Sequence, residues 1–457
     1  MSNSLETISA VDRPNVLWIV ADQLRYASLG YAGNDEVVTP NLDRLAQEGT
    51  SFSEAVSQYP VCVPFRASLM TGHYSPANGT ERHGDFIDPQ IATVAKAFEA
   101  AGYDTGYIGK WHLAPEVNAA AVTPEGWIGQ EYWVHPAFRG GFRRWQGFNI
   151  SNNYYENYIA AGEKLAPVRL DGYQTDSLTD LLFDQLGGLD GPWFQVIAYE
   201  SPHPGGGGNP RTPLYPVPEE YERLFDPKRI GLRHNVPEDK RDAARLQLAG
   251  YYSLIANLDH NVGRILDYLE TNGLTDSTLV VFLSDHGEMG GSHGLRNKQV
   301  PYEESVHIPL IWRWPGKVPA GETYAGVACG VDIFPTTAAL CGVAPIDSVA
   351  GVDHSSACLG EQHDAIRDAV LIQWESPRFS FGDHPYRAIR TRRYTYVAGR
   401  DDDFYLLFDR QEDPFELRNL LGEPEGYDLA KGLHERLEQL LLEIEGVLPD
   451  FVVNRRP

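Results

Sequence analysis

A chain of 457 residues with 42% hydrophobic and 22% charged residues has the composition of a soluble globular protein with a large core. Its length suggests two or three domains, or one large α/β domain with an appendage. The formal net charge of −25 argues against coating nucleic acid or an anionic membrane, although a local basic pocket can still hold one anion. Four cysteines, Cys62, Cys329, Cys341 and Cys358, are too few and too scattered for a disulfide framework or a CxxC metal site.

The N-terminus, MSNSLETISAVDRPN, has no basic stretch followed by an apolar one, so no secretory signal is expected and a cytoplasmic location is the default. Residues 15–21 (NVLWIVA) form a continuous apolar run rich in β-branched residues, which reads as a strand buried on both faces. The run is too short to span a bilayer. A helix follows from Thr39 and Pro40, with Leu42, Leu45 and Ala46 on one face and Gly49 at its end. Residues 61–72 (VCVPFRASLMTG) read as a loop entering a helix, because Pro64 has no N–H to donate and fits a first turn. Cys62 would then sit at the positive end of that helix, where an anion or a nucleophile is favoured. Taken alone, Cys62 also fits a small core residue.

A small-residue helix is expected over 91–101, closed by Gly102, and then a strand over 103–108 that runs into Gly109–Lys110–Trp111–His112. Residues 114–167 are rich in aromatic residues, Gly and Asn, and read as a long excursion over the sheet edge. A helix over 178–186, a buried strand over 193–199 ending near His203, and a flexible GGGGNP loop come next. Residues 241–270 carry helical periodicity, and 277–283 form a fourth strong strand that leads to Asp285–His286–Gly287. The loop 289–300 holds His293 and Lys298, and the segments 308–312 and 333–341 complete this part. Beyond about residue 345 the strands are short, at 369–373, 386–391, 393–397 and 405–409, and a last amphipathic helix covers 433–445.

Four buried strands thus finish in polar residues: Asp22–Gln23, Lys110–His112, His203 and Asp285–His286. In an open α/β sheet, ligands lie outside the C-terminal ends of the strands, so groups far apart in sequence meet at one edge. A helix cap, a solvated lysine, a turn histidine and a surface ion pair would explain each alone, but not why all four strands finish this way. Asp22, Gln23, Asp285 and His286 are mainly oxygen donors with one imidazole. That set suits a hard divalent cation such as Ca²⁺ or Mg²⁺ and leaves Mn²⁺ or Zn²⁺ open.

Two motifs carry a family resemblance. Cys62, Pro64, Arg66, Thr71 and Gly72 fall on Cys-x-Pro-x-Arg-x-x-x-x-Thr-Gly, and Gly102, Tyr103, Thr105, Gly109, Lys110 and His112 fall on Gly-Tyr-x-Thr-x-x-x-Gly-Lys-x-His. The chain resembles the type I sulfatases of the alkaline phosphatase superfamily. Phe65 stands where many members carry a small residue, Gln23 where many carry a second Asp, and His286 where Asn is common. The resemblance implies an α/β fold with a mixed, mainly parallel sheet between helices, and a small C-terminal antiparallel sheet capped by a helix. It places a catalytic domain at 1–345 and a C-terminal subdomain at 346–457. It also implies that a maturase converts Cys62 to formylglycine, and that Asp22, Gln23, Cys62, Asp285 and His286 hold one cation, usually Ca²⁺, with Mg²⁺ or Mn²⁺ as alternatives. By motif position, Arg66 and Lys110 would hold the formylglycine hydrate, His112 would act as base, and His203 and Lys298 would contact the sulfate and the leaving-group oxygen.

The activity implied is hydrolysis of a small organic sulfate ester. Arg139, Arg143, Arg144 and Trp145 would suit sugar stacking or a second anionic group, which favours a carbohydrate sulfate. One alternative is a phosphonate monoester or phosphodiester hydrolase of the same superfamily, against which Lys110 and His112 speak. Another is a silent metal-binding homologue with an unmodified Cys62. Glu303 and Glu304 are expected to be structural, and the sequence leaves the oligomeric state open.

Overall fold

The structure is a computed structural model that describes residues 13–115, 121–123, 126–128, 133–162, 167–205, 214–375 and 384–457. The N-terminal residues 1–12, the expected GGGGNP loop beyond Gly205 and parts of the 114–167 segment lie outside the described residues. The strands up to the centre of the chain are β1 (Asn15–Ala21), β2 (Thr50–Val56), β3 (Asp104–Lys110), β4 (Ala121–Thr123), β5 (Gly126–Ile128), β6 (Arg144–Phe148), β7 (Asn157–Ala161) and β8 (Val168–Leu170). Then follow β9 (Trp193–Ala198), β10 (Thr278–Ser284), β11 (Leu310–Arg313), β12 (Glu322–Cys329), β13 (Ala369–Trp374), β14 (Tyr386–Thr391), β15 (Tyr394–Gly399) and β16 (Tyr405–Asp409).

Ten strands form one sheet in the order β12-β2-β11-β10-β1-β9-β3-β6-β7-β8. Its centre, β10-β1-β9-β3, is parallel throughout. The strand β1 explains the architecture in miniature. Val16, Trp18 and Val20 enter one hydrophobic cluster, with Ala67, Val94 and Ile333 from the helices on that face. Leu17, Ile19 and Ala21 enter the other, with Leu42, Leu178 and Leu258 from the opposite helices. A strand covered on both faces must be apolar at every position, which is why NVLWIVA does not alternate. The close spacing of β3 and β9 needs Gly109, at φ +95°, because a Cβ there would lie 2.1 Å from the Ala198 carbonyl oxygen.

Several elements differ from the sequence expectation. Besides the strands of the 114–170 region, β2 (TSFSEAV) and β12 (ETYAGVAC) were not expected; they pair with each other at one end of the sheet, with β12 on its edge, where polar residues are tolerated. The segment read as an excursion over the edge instead lengthens the sheet through β6, β7 and β8. The helix Gln174–Leu186 begins a turn before residue 178, and the last helix, Gly426–Ile444, begins well before residue 433. Their first turns are polar or Gly-containing and show no apolar periodicity. Conversely, the helix expected from residue 91 starts at Val94, where the Thr93 side chain caps it by accepting from Lys96 N.

The strands β13 to β16 form an antiparallel sheet. One face packs Leu371, Ile389 and Tyr396 against Leu433, Leu437 and Leu441 of the last helix. The other packs Ile372 and Trp374 against Tyr59, Val61 and Val306, so this sheet backs the loop that leads into Cys62. Among the described residues, no helix is long and apolar enough to cross a membrane.

Candidate active site

The helix Cys62–Thr71 is buried along its whole length and ends at Gly72, in the left-handed region with φ 70°. It starts from Val61 in extended conformation, with no side chain capping its first N–H groups. Cys62 therefore lies at an uncapped, positive helix end. Its sulfur is 3.2 Å from His286 Nε2 and 3.7 Å from Asp22 Oδ1. Burial, then the Asp22 carboxylate, pushes the Cys62 thiol up to about 12.

The ends of β1 and β10 bring two carboxylates to this sulfur. Asp22 Oδ2 is bound by Lys110 Nζ at 2.7 Å and by Arg66 at 3.3 Å. Asp285 Oδ2 accepts from Arg66 Nε at 3.0 Å, and Asp285 Oδ1 accepts from the backbone N–H groups of Gln23 and His286, both at 3.0 Å. Burial pushes the Asp22 carboxyl up, but Lys110, His203, Arg66 and His286 outweigh it and hold it well below the usual carboxylate range. Burial likewise works against the charge on Lys110, and Asp22 and Glu200 outweigh it, so the ammonium keeps its proton more firmly than an ordinary lysine.

Asp22, Cys62, Asp285 and His286, all buried, each offer a ligand atom within 4.8 Å of the others. The ring of His286 has Nδ1 at 3.1 Å from the Gly287 carbonyl, which makes Nδ1 the donor and leaves the Nε2 lone pair facing the carboxylates and the sulfur. Burial first, and Lys298 with it, lowers His286 to about 4 against the opposing pull of Asp285 and Asp22, so the ring is neutral. Acceptors that face one another in a dry site repel unless a cation stands between them. The four residues therefore fit a metal ion.

The fifth expected ligand, Gln23, stands differently. It is buried with φ 69°, its Oε1 accepts from Lys298 Nζ, and its Nε2 donates to Glu288. Its side-chain oxygen thus faces the Lys298 ammonium, and its link to the four-residue cluster is the backbone N–H on Asp285.

Three further expected groups, His112, His203 and Lys298, come to the same cluster of charges from other segments. His112 follows β3 at φ 59°, packs edge-on against His83 at 4.6 Å, and has both ring nitrogens buried without a hydrogen-bond partner. Burial, then Lys110, His83 and Arg66, holds it well below the ordinary histidine value. It is a neutral base with nothing yet to accept from. His203, half-buried after β9, has Nδ1 at 2.8 Å from the Pro204 carbonyl, and burial followed by Lys298 and Lys110 lowers it also. Lys298 is therefore near both His203 and His286 as well as bonded to Gln23.

Two functional carboxylates were not singled out in the sequence. Glu200, at the end of β9, lies 3.4 Å from Lys110 Nζ and accepts from Asn152 N at 2.8 Å and Gln174 Nε2 at 3.1 Å. It obeys the rule that marked the other strand ends. Glu288 accepts from Gln247 Nε2, Gly290 N and Asn297 N, each at 2.9 Å, and so fixes the loop that carries Lys298. No local signal distinguishes it.

The expected sugar contacts from the insertion are corrected. Trp145 is buried and stacks on Tyr107 at 5.2 Å, and Arg139 is buried under Trp145 with its guanidinium on the carbonyls of Val134 and Gly162. Arg144 pairs with Asp104 at 2.8 Å, at the start of β3 and so at the far end of the sheet from Lys110, and Arg143 is exposed near Glu99. Among the described residues of this segment, Asn152 reaches the site through Glu200 and Tyr154 through its hydroxyl, which donates to the His203 carbonyl at 2.6 Å.

The Sulfatase family profile matches residues 14–343, and the profile described as N-sulphoglucosamine sulphohydrolase, C-terminal, matches residues 291–443. An ulvan-active sulfatase of Formosa agariphila is 33% identical over 443 residues, covering 94% of this chain and 82% of that protein. An N-acetylglucosamine-6-O-sulfatase of Bacteroides thetaiotaomicron is 25% identical over 512 residues, covering 96% and 88%. The crystal structure of a Bacteroides fragilis sulfatase, yidJ, superposes with a TM-score of 0.85 at 26% identity, covering 99% of this chain and all of that one.

Proposed function

The chain belongs to the sulfatase family and is a sulfuric ester hydrolase, and we propose that its substrate is a small sulfated sugar, cleaved with a formylglycine at position 62 and one divalent cation. Ca²⁺ is the first choice of ion and Mg²⁺ or Mn²⁺ the alternatives, because oxygen donors dominate the set. The observation that carries this reading is the ring of facing acceptors, Asp22, Asp285 and His286, closed by Cys62 at an uncapped helix end. The sugar is supported by the relative whose name specifies an N-acetylglucosamine sulfate.

The cation would offset charge on the sulfuryl oxygens and the hydrated aldehyde would supply the attacking hydroxyl. The chain's own residues do the rest. Arg66 and Lys110, fixed by Asp22 and Asp285, hold that hydroxyl in place and set positive charge beside the sulfuryl group. Lys298 adds a third cation from the opposite loop. The negative substrate raises the proton affinity of His203, whose Nε2 remains for the departing alcohol oxygen while Nδ1 stays on Pro204. His112, neutral and unpartnered, takes the proton released as the enzyme returns to its starting state.

The test is kcat/KM for sulfated mono- and disaccharides beside an aryl sulfate and an aryl phosphonate monoester that share one leaving group. Sulfated sugars should lead and the phosphonate should trail; a preference for the phosphonate overturns the reading. Element analysis should find a cation that Asp285→Asn loses, and peptide mass spectrometry should find an aldehyde at position 62. An unmodified thiol in fully active protein would exclude the formylglycine route and the maturase it requires.

A further inference from the structure

A second group of possible metal ligands lies outside the site described above, where three distant segments meet. His293 comes from the loop that carries Lys298, Glu304 from the short helix Glu303–Val306, and Glu416 from the chain after β16. One donor atom of each lies within 4.8 Å of the others.

The pairing around these residues is uneven. Glu304 Oε1 is bound by Arg233 Nε at 2.6 Å and by Asn235 Nδ2 at 2.9 Å, but its Oε2 is buried with no partner. Glu416 is 3% exposed; its Oε2 accepts from the Glu303 backbone at 2.9 Å, and its Oε1 is buried with no partner. The neighbouring Glu303 is paired with Arg390 and Arg410, whereas no cation among the described residues pairs with Glu416. Asn235, 5% exposed, sets its Nδ2 against His293 Nε2, Glu304 Oε1 and the Phe415 carbonyl, and so braces this junction.

A buried carboxylate oxygen with neither a donor nor a cation beside it is costly, and a cation between Glu304 and Glu416 would remove that cost. One imidazole and two carboxylates, held from behind by Arg233 and the Glu303 N–H, suit a small divalent transition ion with water completing its shell rather than Ca²⁺.

We propose that His293, Glu304 and Glu416 form a second divalent cation site of the Zn²⁺ type that fastens the C-terminal segment to the Lys298 loop. A cation bound there takes over the present contact between His293 Nε2 and Asn235 Nδ2. The site is separate from the hydrolytic centre and does not depend on the substrate assigned to it.

The experiment uses the full-length protein equilibrated with Zn²⁺ in the presence of Ca²⁺ and then dialysed. Inductively coupled plasma mass spectrometry should find one bound Zn²⁺ per chain in the native sequence and at least a tenfold loss in Glu416→Gln, with sulfate-ester turnover changed less than twofold. Anomalous differences at the zinc edge, from crystals of the native chain, should place a peak between Glu304 and Glu416, which decides the matter even if Glu416→Gln does not fold. Equal zinc in both proteins, or a native crystal with no peak there, overturns the proposal and leaves water or a proton as what satisfies Glu416.

Discussion

Two clusters of buried charge can be compared directly. In the seam between the two sheets, Arg390 is fully buried and meets Glu303 at 2.6 Å and Glu54 at 3.0 Å, and Arg410 meets Glu54 at 3.0 Å. In the hydrolytic site, Asp22 and Asp285 are equally buried and also meet cations, yet Asp22 Oδ1, Asp285 Oδ1 and His286 Nε2 face one another, and the His112 ring has no partner. Burial of charge is thus common to structure and to chemistry. What separates them is that the seam sets its carboxylates against guanidinium groups, whereas the site also turns acceptors toward one another.

The strongest way to break the comparison is at Cys62. Cys62→Ala removes the group at the helix end but no ion pair, so turnover should fall by about 10³-fold or more while the denaturation midpoint hardly moves. Retained turnover would show that the open cluster is not the reacting centre. The seam predicts the reverse behaviour. Arg390→Met strips the guanidinium from Glu303 and Glu54 and should cost about 3–5 kcal/mol of stability, read from urea unfolding, with kcat per folded molecule within about twofold. If stability is unchanged, the seam is not held by its pairs.

A third test uses pH. A lowered histidine pKa means that the neutral base survives to lower pH, so the acid limb of kcat/KM assigned to His112, which reports the free enzyme, should lie below its ordinary value of 6.5. A limb at or above that value would mean that burial and Lys110 do not govern the ring. The smallest effect concerns Asp259, a buried carboxylate that meets N–H groups rather than a cation. It accepts from Asn41 N at 3.0 Å and Leu42 N at 2.7 Å, capping the helix Pro40–Gln47 from outside. Asp259→Ala should cost about 1–2 kcal/mol in the same unfolding experiment and leave activity intact.

Much of this was legible in the sequence for one reason. Strands buried on both faces must be apolar throughout, so β1, β9 and β10 announce themselves, and the polar residues where they stop stand out by contrast. The edge strand β12 and its neighbour β2 carry polar residues among their apolar ones and read as loops. The aromatic insertion misled because Trp145 has the same composition signal whether it stacks on a sugar or on Tyr107, and only the pairing of β6 with β3 decides. Glu288 was hidden for a related reason: its partners are two backbone N–H groups and two glutamines, Gln247 at 41 and Gln23 at 265 residues away, and only folding brings them together.

The order of the four central strands also sets a clock. Cys62 is enclosed by His286, which lies 224 residues further along the chain, and Ser57 Oγ ties the same loop to the Asp285 carbonyl at 2.6 Å. On a ribosome adding roughly 5–20 residues per second, that separation corresponds to roughly 10–45 seconds between the emergence of the cysteine and the arrival of the strand that covers it. Any enzyme that must reach the Cys62 thiol has that interval in which the residue is open, and afterwards would have to wait for β10 to come away.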